Sequence, residues 1–223
     1  MFENIPSILM STQPQWCEKI FEIIGENENK APVYKKRIEV RKTRPKYPTP
    51  FKVYIYCTKG KFALLRKDNE YRHDHWKFAE FHKSCGNEIL NGKVIAEFIC
   101  DEITEMYVGK IGEKVKDGYI CLDTTSDVLR SQACLTEKQL YEYCNGGKLY
   151  GWHISNLVIY DKPKELSEFY GKCNEGCEDC YLWQSVRVNS EEFDMDCASK
   201  YYGHIPLKRP PQSWCYVERV GEM

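Results

Sequence analysis

One segment, Val33 to Thr58, carries the pattern that most constrains how this chain can fold. Within it the apolar residues Ile38 and Val40 alternate with charged residues, which is the period of a half-buried β-strand. Phe51 to Cys57 forms a second apolar strand pattern, and the proline-rich stretch Arg44 to Pro50 predicts a turn between the two. We therefore expect a β-hairpin with one face towards the core. The opposite face would present Arg37, Glu39 and Arg41, with Lys36 at the edge of the strand.

The positive charge of the chain is concentrated in this hairpin. Seven of the twelve positions from Lys35 to Lys46 are Lys or Arg, and Glu39 is the one acid among them. The whole chain has a net charge of -1, so the hairpin is a local basic patch on a nearly neutral protein. Two interpretations follow from the pattern: a solvated ladder of charges on an edge strand, or the lining of a ligand-binding cleft.

Three motifs together resemble those of a known family. The spacing Lys36-x-x-Glu39-x-Arg41 follows a helix that begins at Gln13-Pro14 and precedes a strand that ends in Tyr56-Cys57-Thr58. A further strand, Gly92 to Phe98, reads GKVIAEF. With these motifs the chain resembles the activating-signal-cointegrator homology (ASCH) family. That family is similar in fold to PUA and EVE domains, which are small β-barrels that bind RNA or modified bases.

The resemblance implies an α+β protein with a PUA-like mixed β-barrel, flanking helices and a Cys-bearing C-terminal extension. Residues 1–223 would form a single domain, with a loop or short-helix insertion at about 59–91 and a cysteine-rich loop at about 172–204. The sequence patterns add a strand at Ile5–Met10, a helix that begins at Pro14 with Thr12 as N-cap, a capped helix at Leu135–Leu140, and strands at Tyr150–Tyr160 and Gln212–Val220, the last of which would close the barrel.

The resemblance also implies a ligand site, in a cleft between the barrel and its first helix. The site residues would be Lys36, Glu39, Arg41, Arg37 and Thr58. In such a cleft Arg and Lys neutralise phosphate, Glu39 accepts a hydrogen bond from a base edge or orders Arg41, and a Trp or Tyr stacks on the base. The chain would then be a binding module for RNA or a modified nucleoside.

Two other classes of function stay open. Some small ASCH relatives hydrolyse an N-acylated cytidine with a lysine, a threonine three residues further on and a glutamate elsewhere. Here Lys36 matches the lysine, but Glu39 stands where the nucleophilic threonine would be, so the resemblance gives weak support to an amidohydrolase. The third class is a structural or partner-binding protein whose basic hairpin meets an acidic partner.

Twelve cysteines need an explanation. The N-terminal residues lack the pattern of a secretion signal, so reduced thiols and a cytoplasmic location are expected, and most cysteines lie in apolar runs typical of a core. The exception is a loop whose spacing suits one structural zinc ion, with His204 as an alternative fourth ligand. The loop could instead hold an iron–sulfur cluster, which its spacing fits less well, or a set of reduced thiols. The proposed ligands are Cys173, Cys177, Cys180 and Cys197.

Three further features of the sequence concern metal binding, a buried carboxylate and membrane insertion. His73, His75, His82 and Cys85 lie in the insertion and form either a metal site or part of a hydrated loop. Glu97 is a carboxylate inside an apolar strand, so either it pairs with a cation, Arg41 or Arg37 if their strands are neighbours, or it lies on the outward face of the strand. No run of about eighteen apolar residues exists, so no membrane span is expected.

Overall fold

The computed structural model describes residues 6–66, 76–80, 88–107, 127–144, 148–171 and 205–219. The helices are α1 (Pro14–Phe21), α2 (Asp127–Ala133) and α3 (Glu137–Cys144). The strands are β1 (Ser7–Thr12), β2 (Ile23–Glu26), β3 (Pro32–Tyr34), β4 (Ile38–Arg41), β5 (Phe51–Cys57), β6 (Phe62–Arg66), β7 (Trp76–Glu80), β8 (Glu88–Ile89), β9 (Val94–Cys100), β10 (Ile103–Tyr107), β11 (Lys148–His153), β12 (Ser155–Lys164), β13 (Phe169–Gly171), β14 (Ile205–Pro206) and β15 (Trp214–Arg219).

A seven-stranded mixed sheet is the centre of the described structure, in the order β12-β9-β5-β1-β15-β13-β14. Strands β1 and β5 run parallel, and the other neighbours are antiparallel. The central strands are buried on both faces because their side chains alternate between two apolar clusters. Ile8, Val53 and Ile55 face the cluster that also contains α1, whereas Leu9 and Tyr54 face the other.

The seven-stranded sheet is open, whereas the sequence predicted a closed barrel. Within the described ranges, the end strands β12 and β14 do not pair with each other, and β4, β10 and β11 form a separate three-stranded sheet. The α+β class is confirmed, and the closed barrel is wrong. The predicted last strand is β15, which pairs with β1 and β13 inside the sheet. No helix of the described ranges has the length and apolarity to cross a membrane.

The predicted hairpin of Val33 to Thr58 is also wrong. Its first strand, β4, pairs with β11, over 100 positions further along the chain, with Glu39 opposite Trp152 and Arg41 opposite Tyr150. Its second strand, β5, lies in the larger sheet between β1 and β9. All four residues of β4 are buried: Ile38 and Val40 pack against α2 and α3, and on the opposite face Arg41 bonds to Ser11 of β1.

The predicted starts of α1 and α3 and the predicted insertion can be compared with the structure. Helix α1 begins at Pro14 as expected, but its N-cap is Gln13, and Thr12 ends β1. The capping box of α3 is confirmed: Gln139 N donates to Thr136 Oγ1 at 3.2 Å and Thr136 N donates to Gln139 Oε1 at 2.9 Å. The insertion at about 59–91 contains a three-stranded sheet, β7-β6-β8, in its described part, where a loop or short helix is predicted.

Candidate functional site

A cavity of about 590 Å³ opens between α1, α3, β4 and the end of β1. We call it the Glu39 cavity. Its lining residues are Ser11, Thr12, Gln13, Trp16, Lys36, Glu39, Val40, Arg41, Thr58, Leu135, Gln139, Glu142, Tyr143, Gln212 and Ser213.

Glu39 lies between two cations at the inner wall of this cavity. Its Oε1 is 2.8 Å from Arg41 Nη2, and its Oε2 is 3.2 Å from Lys36 Nζ. Lys36, Glu39 and Arg41 expose only 2%, 6% and 7% of their surfaces, so the charges interact with little screening by water. The three residues form one buried charge cluster rather than a solvated ladder.

Further hydrogen bonds satisfy most of the two cations. Lys36 Nζ donates to Ala133 O at 2.9 Å, at the C-terminus of α2, where unpaired helix carbonyls favour a positive charge. Arg41 Nη2 donates to Ser11 O at 3.0 Å and to Thr12 Oγ1 at 3.3 Å. The cluster therefore connects β4 to β1 and to α2, and it fixes the position of both cations.

Two buried polar atoms of this cluster lack hydrogen bonds within the described part of the chain. They are the Nε of Arg41 and the Oε2 of Glu39, which has the Lys36 ion pair but no aligned hydrogen bond. A buried donor or acceptor without a partner costs about 1–3 kcal/mol, so native proteins usually satisfy such atoms. Both residues line the cavity, but the two atoms themselves are enclosed, so a ligand contacts them only if a neighbouring side chain moves.

Aromatic rings and amides occupy the other walls. The Trp16 ring has Lys19 Nζ at 4.5 Å and Lys36 Nζ at 4.9 Å from its centroid, and Lys42 Nζ lies 5.0 Å from the Tyr143 centroid. Burial raises the pKa of Tyr143, so its hydroxyl stays protonated at neutral pH. The capping box of α3 holds the side-chain oxygen of Gln139.

Four of the five predicted site residues lie around this cavity. Thr58 is at its rim, where its backbone N donates to Thr12 O at 2.9 Å and its carbonyl accepts from Asn91 Nδ2 at 2.9 Å. Arg37 is exposed and does not line the cavity. Sequence reasoning did not identify Trp16 or Tyr143 as site residues, since no local pattern indicates that α3 packs opposite α1.

Two cysteines lie beneath the charge cluster. Cys17 on α1 and Cys57 on β5 are fully buried, and Cys17 Sγ lies 3.7 Å from Thr12 O. Burial, then the hydrogen bond with Cys57 and the nearby charge of Glu39, raise the pKa of the Cys17 thiol well above its ordinary value. This thiol is therefore neutral at physiological pH and behaves as part of the core.

The predicted metal ligands cannot be placed. Cys173, Cys177, Cys180, Cys197 and His204 lie outside the described residues, as do His73, His75, His82 and Cys85. Among the residues that are described, no group of three or more His, Cys, Asp and Glu side chains could hold a metal ion. Zinc stays a prediction.

Glu97 has partners other than the predicted ones. Its carboxylate accepts a hydrogen bond from the Tyr160 hydroxyl, and Lys52 Nζ lies 3.8 Å away. Arg41 is on β4 in the three-stranded sheet and Arg37 directly precedes that strand, whereas Glu97 is on β9 in the seven-stranded sheet. The expected pairing of Glu97 with Arg41 or Arg37 is therefore wrong.

No family model and no curated protein matches this chain significantly. Solved structures of an ASCH protein from Zymomonas mobilis are similar to it over nearly the whole length. One point mutant has 15% identity and a TM-score of 0.45, and covers 97% of this chain and 93% of its own. A second mutant has 16% identity and a TM-score of 0.44, with coverages of 98% and 94%. The unmutated protein has 16% identity and a TM-score of 0.40, with coverages of 97% and 90%. These structures belong to the family that the sequence resembles.

Proposed function

We propose that the Glu39 cavity binds the base of an RNA or of a modified nucleoside. The observation that carries the proposal is the lining of the cavity, which has the buried Lys36–Glu39–Arg41 cluster on its inner wall and the aromatic residues Trp16 and Tyr143 on the others. The edge of a nucleobase presents donors and acceptors side by side, which suits a wall that carries both cations and a carboxylate. A cavity of about 590 Å³ is within the range of small-molecule sites.

Charge balance supports a neutral base rather than a phosphate in this cavity. Lys36 and Arg41 contribute two positive charges to the lining, and Glu39 and Glu142 contribute two negative ones. Both cations already have protein partners, so a phosphate would compete with Glu39 for them. Trp16 and Tyr143 offer flat apolar surfaces on which a base can stack.

The test is a binding titration of cytidine, N-acetylcytidine, uridine and adenosine by calorimetry. Trp16→Leu and Tyr143→Leu should each weaken the nucleoside that binds best by about tenfold or more, because base stacking on an aromatic ring contributes roughly 1–3 kcal/mol. Tyr34→Leu is the matched control, since Tyr34 is half-buried and lies outside the lining. Equal affinity of Trp16→Leu, Tyr143→Leu and the control would contradict the proposal.

The alternative is an amidohydrolase that acts on N-acylated nucleosides. Both carboxylate oxygens of Glu39 are committed to cations, which makes Glu39 a weak nucleophile and a weak base. We expect N-acetylcytidine to bind without release of acetate. Rapid release that Glu39→Gln abolishes would make the protein an enzyme. Binding of no nucleoside at all would favour the third class, a structural or partner-binding protein.

A further inference from the structure

A second cavity, of about 750 Å³, adjoins the first. We call it the Lys59 cavity. It lies between the end of β5, the turn before β9, the 3-10 turn Leu166–Glu168 and the segment before β15. Thr58 lines both cavities, so the two adjoin at this residue. Its lining residues are Tyr56, Thr58, Lys59, Gly92, Glu165, Leu166, Ser167, Pro206, Leu207, Lys208 and Pro210.

The cations of the Lys59 cavity are exposed and have no charged partner among the described residues. Lys59 and Lys208 are both exposed, and neither forms an ion pair or a side-chain hydrogen bond with any residue that the structure describes. Glu165 is the acidic lining residue, and its carboxylate is already 3.4 Å from Lys93 Nζ. The lining therefore has a net positive charge that is available to an anion.

The stem of Lys59 packs against the turn before β9, although the residue is exposed. Its side chain lies against Gly92, where a Cβ atom would be only 2.7 Å from Lys59 Cε. Gly92 has a φ of 84°, a conformation that favours glycine, and its backbone N donates to Cys57 O at 2.7 Å. The turn before β9 thus leaves room for the stem of Lys59 beside Thr58.

We propose that the Lys59 cavity binds the backbone phosphates and the neighbouring nucleotide of a single-stranded RNA whose base occupies the Glu39 cavity. This inference rests on the proposed function and names its ligand as a base within a strand rather than a free nucleoside. Unpaired cations attract phosphates, whereas the cations of the Glu39 cavity are already paired. Leu166 and Leu207, which are half-buried, supply an apolar surface for the next base or sugar.

The junction of the two cavities favours ribose over deoxyribose. The sugar between the two subsites passes Thr58, whose backbone N and O are both used within the fold. The Thr58 hydroxyl has no partner among the described residues, so it can exchange a hydrogen bond with a 2′-hydroxyl.

The test compares the best-binding nucleoside with a five-residue oligoribonucleotide that contains it, over a range of salt concentrations. Wild-type protein should bind the oligonucleotide more tightly than the nucleoside at low salt, by about tenfold or more. Two phosphate contacts should give a slope of about −1.4 for the logarithm of the association constant against the logarithm of the salt concentration. The variant Lys59→Gln/Lys208→Gln should lose most of this gain and most of the slope. Its affinity for the free nucleoside should equal that of wild type.

Two control variants separate charge from structure. Lys59→Arg/Lys208→Arg keeps both charges and should bind the oligonucleotide like wild type. Lys162→Gln removes one exposed charge on β12, outside both cavities, and should leave the slope unchanged. The oligodeoxyribonucleotide should bind several-fold more weakly, and equal affinity would overturn the assignment to RNA.

The failures of the two proposals are distinguishable. An oligonucleotide that binds no more tightly than the nucleoside, or a Lys59→Gln/Lys208→Gln variant with unchanged affinity and slope, overturns the role of the Lys59 cavity and leaves the base site intact. If wild-type protein binds no nucleoside, and Trp16→Leu leaves its affinity for the oligonucleotide unchanged, both the base site and the role of the Lys59 cavity are overturned.

Discussion

The two cavities use their positive charges in opposite ways. In the Glu39 cavity, Lys36 and Arg41 are buried and share one carboxylate. In the Lys59 cavity, Lys59 and Lys208 are exposed and have no carboxylate partner in the described structure. Because a buried charge must be compensated and an exposed one need not be, the first pair is part of the fold and the second is available to a ligand. A count of basic residues along the chain does not separate these two roles.

Removing the shared carboxylate should have the largest effect. Glu39→Gln keeps the shape of the side chain and leaves Lys36 and Arg41 buried without a counter-charge. We expect the free energy of unfolding to fall by about 3–5 kcal/mol, measured by urea denaturation. Glu142→Gln, an exposed acid of the same cavity, is the control and should have little effect. If both variants lose the same small amount, the contrast between buried and exposed charge in this protein is wrong.

A triple variant sharpens the same point. Lys36→Met/Glu39→Leu/Arg41→Met replaces the whole cluster with apolar side chains of similar size, so no charge is left without compensation. Most of the stability should return, but nucleoside binding should not, because the charged side chains of the inner cavity wall are gone. A triple variant that binds nucleosides normally would show that the cluster serves only the fold.

Alkaline pH should lower the free energy of unfolding by a smaller amount, through the Cys17 thiol beneath the Glu39 cavity. Burial raises the pKa of the Cys17 thiol, so this thiol stays protonated in the folded state at a pH where it ionises in the unfolded chain. Its contribution to stability is present below pH ~9 and is lost as the pH rises towards the folded pKa, by about 1.4 kcal/mol per pH unit. Cys100 and Cys215, with pKa values raised to about 12 and about 11, add a background of the same sign.

Unfolding curves between pH 8 and pH 11 isolate the Cys17 contribution, with the pH range chosen around the ordinary thiol pKa of about 8.5. Cys17→Ala should lower the dependence of unfolding free energy on pH by about one proton per molecule relative to wild type. Parallel curves for the two proteins would mean that Cys17 ionises as readily in the folded state as in the unfolded one.

Removal of metal should have the smallest effect on either cavity. We propose that Cys173, Cys177, Cys180 and Cys197 hold one zinc ion, so elemental analysis should find about one zinc per chain. Chelation should loosen the C-terminal third of the chain but leave nucleoside affinity unchanged, since the described lining residues of both cavities lie outside 172–204. A metal-free protein of unchanged stability would rule out the zinc site, and loss of nucleoside affinity on chelation would couple it to the cavities.

Local signals in the sequence were sufficient for some elements and not for others. Pro14 and the Thr136–Gln139 capping box determine helix starts through contacts within one turn, and the structure has both. The partner of β4 could not be found in this way, because β11 is remote in sequence and the proline-rich turn suggested a nearer one. An alternating strand pattern predicts a buried face but does not identify the neighbouring strand.

The candidate site shows the same limit. The spacing of Lys36, Glu39 and Arg41 on one strand is enough to bring their charges together, and the structure places all three around one cavity. Trp16 and Tyr143 come from two helices that meet only in the folded protein, so no spacing could associate them with Glu39. Lys36 and Arg41 pair with Glu39 because all three are buried, and the sequence pattern of β4 did not decide whether these side chains are buried or exposed.

The place of β1 has a consequence for the time course of folding. β1 pairs with β5 on one side and with β15 on the other, and Ser11 Oγ bonds to Pro211 O across a separation of 200 residues. Contacts of such long range form slowly, because a large loop must close before they contribute any stability. Gln212 and Ser213 complete the wall of the Glu39 cavity, so a chain emerging from the ribosome has no complete cavity until its residues beyond 210 are available. On the proposed function, nucleoside binding would then report the last step of folding.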